Sequence, residues 1–133
     1  MPGLVGVMIK IEFSEDPLVF EKVLPFSSKY RCQLVYSGRA IGEGGLEFIV
    51  DTETVRVLLH SLGHELMAKL GDAFAATVYH RIGPVNHGEL TGLIVTEADH
   101  HDVAFNVERS IIECMKHRCP IWKRERDGEG LSW

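Results

Sequence analysis

The sequence has no apolar run near the roughly 18–20 residues of a membrane-spanning helix. Its N-terminal MPGLVGVMIKIEF has no basic stretch ahead of the apolar residues and carries Lys10 among them. It therefore reads as a first strand, with no secretory signal and no membrane role. Cysteine is sparse: Cys32, Cys114 and Cys119 are an odd count with no CxxC pair, for which a reduced, cytoplasmic protein is the simplest account. Positive charge is in deficit as well. With 14 Lys and Arg against 19 Asp and Glu the net charge is −5, which argues against general nucleic-acid binding, because a sequence-independent grip on phosphates needs a broad basic face. Repeats, low-complexity segments and linkers are also missing. The 133 residues, 45% apolar and 25% charged, are expected to form one soluble domain over residues 1–133.

What is there is a mixture of strand and helix periods. Val5, Val7, Ile9, Ile11 and Phe13 alternate with Gly6, Met8, Lys10 and Glu12, the pattern of a half-buried strand. A short helix or turn is expected at SEDPLVFEKVLPF. Strand-like RCQLVYSG (31–38) and GLEFIV (45–50) flank RAIGEGG, whose glycines suit a hairpin or a mobile loop. Val55, Leu58, Leu59, Leu62, Leu66 and Leu70 form one helical stripe, predicting a helix over 52–70 with Asp51 as N-cap and an end near Gly71. FAATVYHRIG and ELTGLIVTEA read as two more strands joined by PVNHG. Asp99 or Asp102 can cap a second long helix, its buried face supplied by Ala104, Val107, Ile111 and Met115 with Phe105 and Ile112 alongside. It must stop before Pro120. The late strand pair points to an antiparallel α+β arrangement.

Positive charge, scarce overall, is gathered in KHRCPIWKRE, where Lys116, His117, Arg118, Lys123 and Arg124 surround a Cys-Pro break and Trp122. Lys116, His117 and Arg118 at a helix end have an ordinary reading, complementation of the helix dipole at ~0.3–1 kcal/mol per charge. Lys116 and Lys123, seven residues apart across a stiff turn, can also converge on one anion, and lysine in such a site holds a phosphate or acts as base or nucleophile. EADHHD (97–102) can bind a metal or an anion, or be a solvated loop. Adjacent histidines rarely serve one metal ion. His60 and His64 have the i, i+4 spacing of a zinc pair, but no Glu follows His60 as in HExxH and no third ligand is evident, so they read as a surface pair. GRAIGEGG lacks the GK[ST] ending of a P-loop and precedes a strand. Cys114 reads as core, and nothing near it and Cys119 supplies a Cys–His–acid set.

Taken together, HRIGPVNHGE (80–89), DHHDVAF (99–105) and MKHRCPIWKRE (115–125) resemble one family, the large, catalytic subunit of molybdopterin synthase. The first is similar to its HRIG-x-V-x-x-GE hairpin, the second to its His-Arg-x-x-Ala-Phe junction, and the third to its Lys-x-x-x-Pro-[IF]-Trp-Lys-[RK]-Glu segment. The resemblance implies an α+β fold of the hammerhead type, with a mixed, largely antiparallel sheet and two long helices, that dimerises through its large subunits. It implies a sulfurtransferase that installs the dithiolene sulfurs of molybdopterin on cyclic pyranopterin monophosphate. The sulfur would arrive as a thiocarboxylate on the C-terminal Gly-Gly of a small ubiquitin-like carrier in a heterotetramer. This sequence ends GLSW, so the carrier role is not expected of it. No resident cofactor or metal is implied.

Residue by residue, Lys116 matches the family's catalytic lysine and Lys123 its second essential lysine, with Arg124 and Glu125 following in the substrate-contacting position. His100 matches the histidine of the family's His-Arg pair, which in the dimer reaches the neighbouring subunit's site. His101 stands where that pair has arginine, a titratable group for a permanent cation. The family's Gly-x-Val-Arg appears as GRAI (38–41), with Ile41 in the arginine's place. Arg39 can substitute only with a modest register shift. Two other readings stand beside this one: a diverged, non-catalytic member acting as a carrier-binding or regulatory module, and a small-ligand or metal-binding α+β domain using the histidine pairs.

Overall fold

Alternating and helical periods resolve, in a computed structural model that describes residues 8–23, 29–126 and 131–132, into two four-stranded sheets and two long helices. The first sheet has the order β1-β4-β6-β2, built from β1 (Ile9–Ser14), β2 (Cys32–Arg39), β4 (Phe74–Arg81) and β6 (Leu90–Ala98). β1 runs parallel to β4, and the other pairs are antiparallel. The second sheet has the order β5-β3-β7-β8, built from β3 (Leu46–Val50), β5 (Gly83–Val85), β7 (Ile121–Arg126) and β8 (Leu131–Ser132). The architecture is α+β, with two separate sheets where the sequence suggested one.

The predicted alternation of the first strand holds at Ile9 and Ile11, both buried, while Val5 and Val7 lie outside the described residues. The helix or turn expected next is a single helical turn, α1 (Phe20–Val23), and 24–26 fall outside the described residues. β2 and β3 do not form a hairpin. They belong to different sheets, so 40–45 is a crossover between layers. Gly45 is needed there, since a side chain on it would collide with the Val85 carbonyl.

The first long helix, α2, runs Thr52–Leu70, bounded as its stripe and caps predict. The Asp51 carboxylate accepts from Thr54 N–H at 3.2 Å. Gly71 takes the left-handed conformation (φ 73°) that closes the helix through a bond to the Met67 carbonyl. The second, α3 (His101–His117), has Val103, Ala104, Val107, Ile111 and Cys114 buried. Neither expected cap serves it. His100 is the N-cap without a side-chain bond, and Asp99 instead accepts from Arg31 N–H at 3.3 Å. Phe105, expected beside the buried face, is 59% exposed. It lies about 100° around the helix from Ala104, past the edge that α2 and the sheet cover.

Both helices pack on one face of the first sheet, and their buried residues join Ile9, Ile11, Phe74, Ala76, Val78, Ile94 and Ala98 in the main core. A small second cluster of Ala40, Phe48 and Val85 sits under the second sheet. One clamp ties strands of both sheets. Arg81, 2% exposed, reaches the Glu89 carboxylate at 3.4 Å and donates to the carbonyls of Pro84 (3.0 Å) and Glu15 (3.1 Å). The arginine and glutamate of the HRIG and GE motifs are therefore scaffold, fixing the connection from β4 to β6.

Candidate functional site

A cavity of about 380 Å³ opens where the two sheets and the end of α3 meet, and three basic residues from three elements line it. Arg39 comes from the end of β2, Lys116 from the last turn of α3, and Lys123 from β7. Each arrives for a local reason. Lys116 lies one residue from the end of a helix that Pro120 forbids to continue. Lys123 pairs in register with Phe48, and cross-strand partners share a face, so both look into the cavity. The β2–β6 ladder shifts register between Gly38 and Arg39, and Arg39 lines the cavity. Ile41, by contrast, is 71% exposed. One Arg39 guanidinium nitrogen donates to the Gly88 carbonyl at 2.8 Å.

The cavity's wall is hollow because Gly38 and Gly92 face each other across β2 and β6. A side chain on Gly92 would come within 2.9 Å of the Tyr79 carbonyl. Below them lies His80, the histidine of HRIG, a cavity-lining residue to which its sequence context alone gives no role in the site. Its Nδ1 is 2.7 Å from the Arg81 carbonyl, so that nitrogen carries the proton and Nε2 is the free acceptor of the neutral ring. Phe48 packs edge-on against the ring at 4.9 Å. Burial lowers the pKa of His80 below the usual histidine value, outweighing the bond to the Arg81 carbonyl. The site thus combines three fixed cations with a neutral imidazole. The signal for His80 was its place in the motif beside Arg81, but a strand period cannot tell a cavity wall from a core.

The other sequence candidates are not gathered at this cavity. Arg124 lies on the opposite face of β7, paired with Glu47 at 2.8 Å and 2.9 Å. Glu125 is exposed and shares the face of Lys123 but does not line the cavity. His100 and His101 are exposed at the other end of α3, roughly 22 Å from Lys116 at 1.5 Å per residue. His101 Nε2 lies 3.1 Å from the Asp102 carboxylate. Within one chain the pair cannot reach this cavity. His60 and His64 are exposed on α2, their Nε2 atoms 3.2 Å apart. Among the described residues no three His, Cys, Asp or Glu side chains are grouped to hold a metal, and no helix is long and apolar enough to cross a membrane.

The family model described as MoaE protein matches residues 39–118, from Arg39 through the end of α3. The molybdopterin synthase catalytic subunit of Pyrococcus abyssi is 43% identical over 58 residues, 44% of this chain and 39% of that protein. That of Synechococcus elongatus is 38% identical over 77 residues, 58% of this chain and 47% of its own length. The chain thus spans less than half the length of these two relatives. The Staphylococcus epidermidis protein of the same name aligns more fully, at 26% identity over 95% of this chain and 89% of its own. Among solved structures, molybdopterin synthase from Staphylococcus aureus superposes with a TM-score of 0.74 at 24% identity, covering 96% of this chain and 95% of that one. A chain of the complex of subunits 1 and 2 of molybdopterin-converting factor from Helicobacter pylori gives 0.78 at 20% identity, over 95% and 89%. At those identities the structures establish the shared fold. The family match, over more than half the sequence and across two of the three cavity-lining cations, establishes the lineage: the chain belongs to the MoaE protein family.

Proposed function

We propose that this chain is the large subunit of a molybdopterin synthase, a sulfurtransferase that takes sulfur from the thiocarboxylated tail of a small carrier protein and places it on cyclic pyranopterin monophosphate. The observation that carries the reading is the convergence of Arg39, Lys116 and Lys123 on one cavity. Both ligands it must receive are anionic, a phosphorylated pterin and a chain-terminal thiocarboxylate. Arginine offers a planar fork to phosphate, and lysine a point charge or an amine nucleophile. Neutral His80 adds an acceptor without adding a fourth positive charge. Here Lys116 and Lys123 are the catalytic pair, and Arg39 holds substrate.

A small-subunit partner is supported by the Helicobacter pylori structure, which is a complex of two subunits. A homodimer of large subunits is supported by the positions of His100 and His101. They lie too far from their own cavity to serve it, and beside them Phe105 is exposed, so a second copy is the natural recipient of the pair. Residues 1–133 act as one domain of this assembly, in the cytoplasm, in keeping with three cysteines that form no disulfide among the described residues. Arg124 and Glu125 act at its edge, with Arg124 held by Glu47.

A second reading, a diverged module that binds the carrier without catalysis, is favoured by one observation. Ile41 stands where the family has arginine, and Arg39 is partly committed to the Gly88 carbonyl. Incubating the protein with thiocarboxylated carrier and the cyclic pterin, and assaying for dithiolene, decides between them. Product supports the synthase. A carrier complex without product supports the binding module.

A further inference from the structure

We propose that Cys114 and Cys119 are a dithiol that closes into an intramolecular disulfide by exchange with a small-molecule disulfide, and that closure resets the junction holding Lys116 and Lys123. The two sulfurs are already in contact, 3.9 Å apart. They flank the end of α3, and the backbone holds the turn shut between them. The N–H groups of Cys119 (3.0 Å) and Arg118 (2.9 Å) both donate to the Cys114 carbonyl. That closure, from residue i to i+5, is the one that brings the side chains at its two ends together. A disulfide needs its sulfurs about 2.05 Å apart, so roughly 2 Å of approach remains, within reach of side-chain rotation and a small shift of the turn. The third cysteine is no rival. Cys32 contacts the Asp99 carbonyl at the opposite end of α3.

The two sulfurs differ in access and charge. Cys119 is half-buried and reachable, and Cys114 is buried. The Cys119 hydrogen bond, assisted by the nearby Arg118 and opposed by burial and Glu65, brings Cys114 down to about 7. Cys119, which holds the shared proton, is pushed up. In the exchange Cys119, the accessible sulfur, gives its proton to solvent and attacks one sulfur of the small disulfide, expelling a small thiolate. The Cys114 thiolate then attacks the Cys119 sulfur. The protein S–S bond forms, the mixed S–S bond breaks and a second small thiolate leaves. Two protein thiols have been oxidised and one small disulfide reduced to two thiols.

The consequence follows from the chain's path. Lys116 is two residues after Cys114, and Lys123 four residues after Cys119. Drawing Cys119 toward α3 pulls Pro120, whose carbonyl accepts from Asp51 N–H at 3.1 Å, and with it the start of β7. This effect on turnover rests on the proposed synthase reading; the disulfide itself does not.

The test is incubation of the intact protein with glutathione disulfide, alkylation of remaining thiols and tryptic mapping. The expected product joins residues 110–116 to 119–123, disappears on reduction and is absent from Cys119→Ser and Cys119→Ala. Dithiolene formation should fall roughly tenfold in the closed form, since displacements near 1 Å already cost rates of that order or more, and return on reduction. Only glutathione adducts, or a pairing through Cys32, overturns the dithiol. A mapped 114–119 bond with unchanged turnover overturns the gating. A protein that never makes dithiolene defeats the synthase reading alone, and in that case a change of Trp122 fluorescence on closure, read in a Trp133→Phe variant, supports the reset junction while an unaltered spectrum overturns it.

Discussion

Lys116 and Lys123 have the same charge and face the same cavity, yet they stand on different supports. Lys116 ends a helix beyond its last buried turn, and Lys123 projects from a strand beside Phe48. Both are exposed, so truncating either should leave the melting temperature within a degree or two, as for most surface substitutions. Lys116→Ala is expected to abolish dithiolene formation, and Lys123→Ala to reduce it by about a hundredfold, in the range of lost electrostatic contacts to a reacting group. Most activity surviving in Lys116→Ala would remove it from the mechanism. His80 offers a different readout. Its folded pKa is depressed by burial, against the bond to the Arg81 carbonyl, so the unfolded chain binds that proton more readily. The stability it contributes is present above about pH 6.5 and is lost as pH falls through the lower folded value. His80→Gln should therefore show a flatter melting temperature between about pH 6.5 and 5. Parallel curves for the two proteins would locate the acid sensitivity elsewhere.

At the scale of elements, α3 is fastened to β6 by one buried polar contact. Thr96, fully buried, donates to the Glu108 carboxyl at 2.6 Å. Burial raises Glu108 to about 7, with the Thr96 bond opposing. A raised carboxyl pKa has the opposite sign to the histidine. The contribution is complete below the unfolded value near 4.5 and lost as pH climbs through about 7. Glu108→Gln keeps a bond to Thr96 without the charge. It should be more stable than the parent above pH 7, by about 1–3 kcal/mol, with the gap closing toward pH 5. Chemical denaturation at the two pH values measures it, and an equal difference at both would mean the carboxyl is already ionised in the fold. Because α3 also carries the cavity lysine and the Cys114 sulfur, this contact helps hold the site's position.

For the molecule as a whole, the net charge of −5 and a cationic cavity are reconciled by spacing. The acidic excess keeps anions at a distance except where Arg39, Lys116 and Lys123 converge. Carrier binding should therefore weaken several-fold between about 50 and 500 mM salt, as screening shortens the reach of those charges. Lys123→Ala should show a shallower dependence, measured by titration calorimetry at each salt concentration. An affinity indifferent to salt would assign the interface to apolar contacts and leave the cations to the pterin.

Local chemistry was enough to determine the long elements. Asp51, the leucine stripe and Gly71 bound α2, and Pro120 bounds α3, because caps, periods and ring sterics act within a few residues. The Lys116 and Lys123 motif was legible for the same reason, as a fixed spacing across a rigid turn. Only the tertiary structure decided that β2 and β3 part into two sheets, that Arg39 lines the cavity beside a register shift, that Arg124 faces Glu47, and that His80 floors the cavity. Each depends on which strand lies alongside, and strand partners are chosen by packing between residues far apart in sequence. A period of two gives a strand its two faces but does not say which of them will meet a ligand.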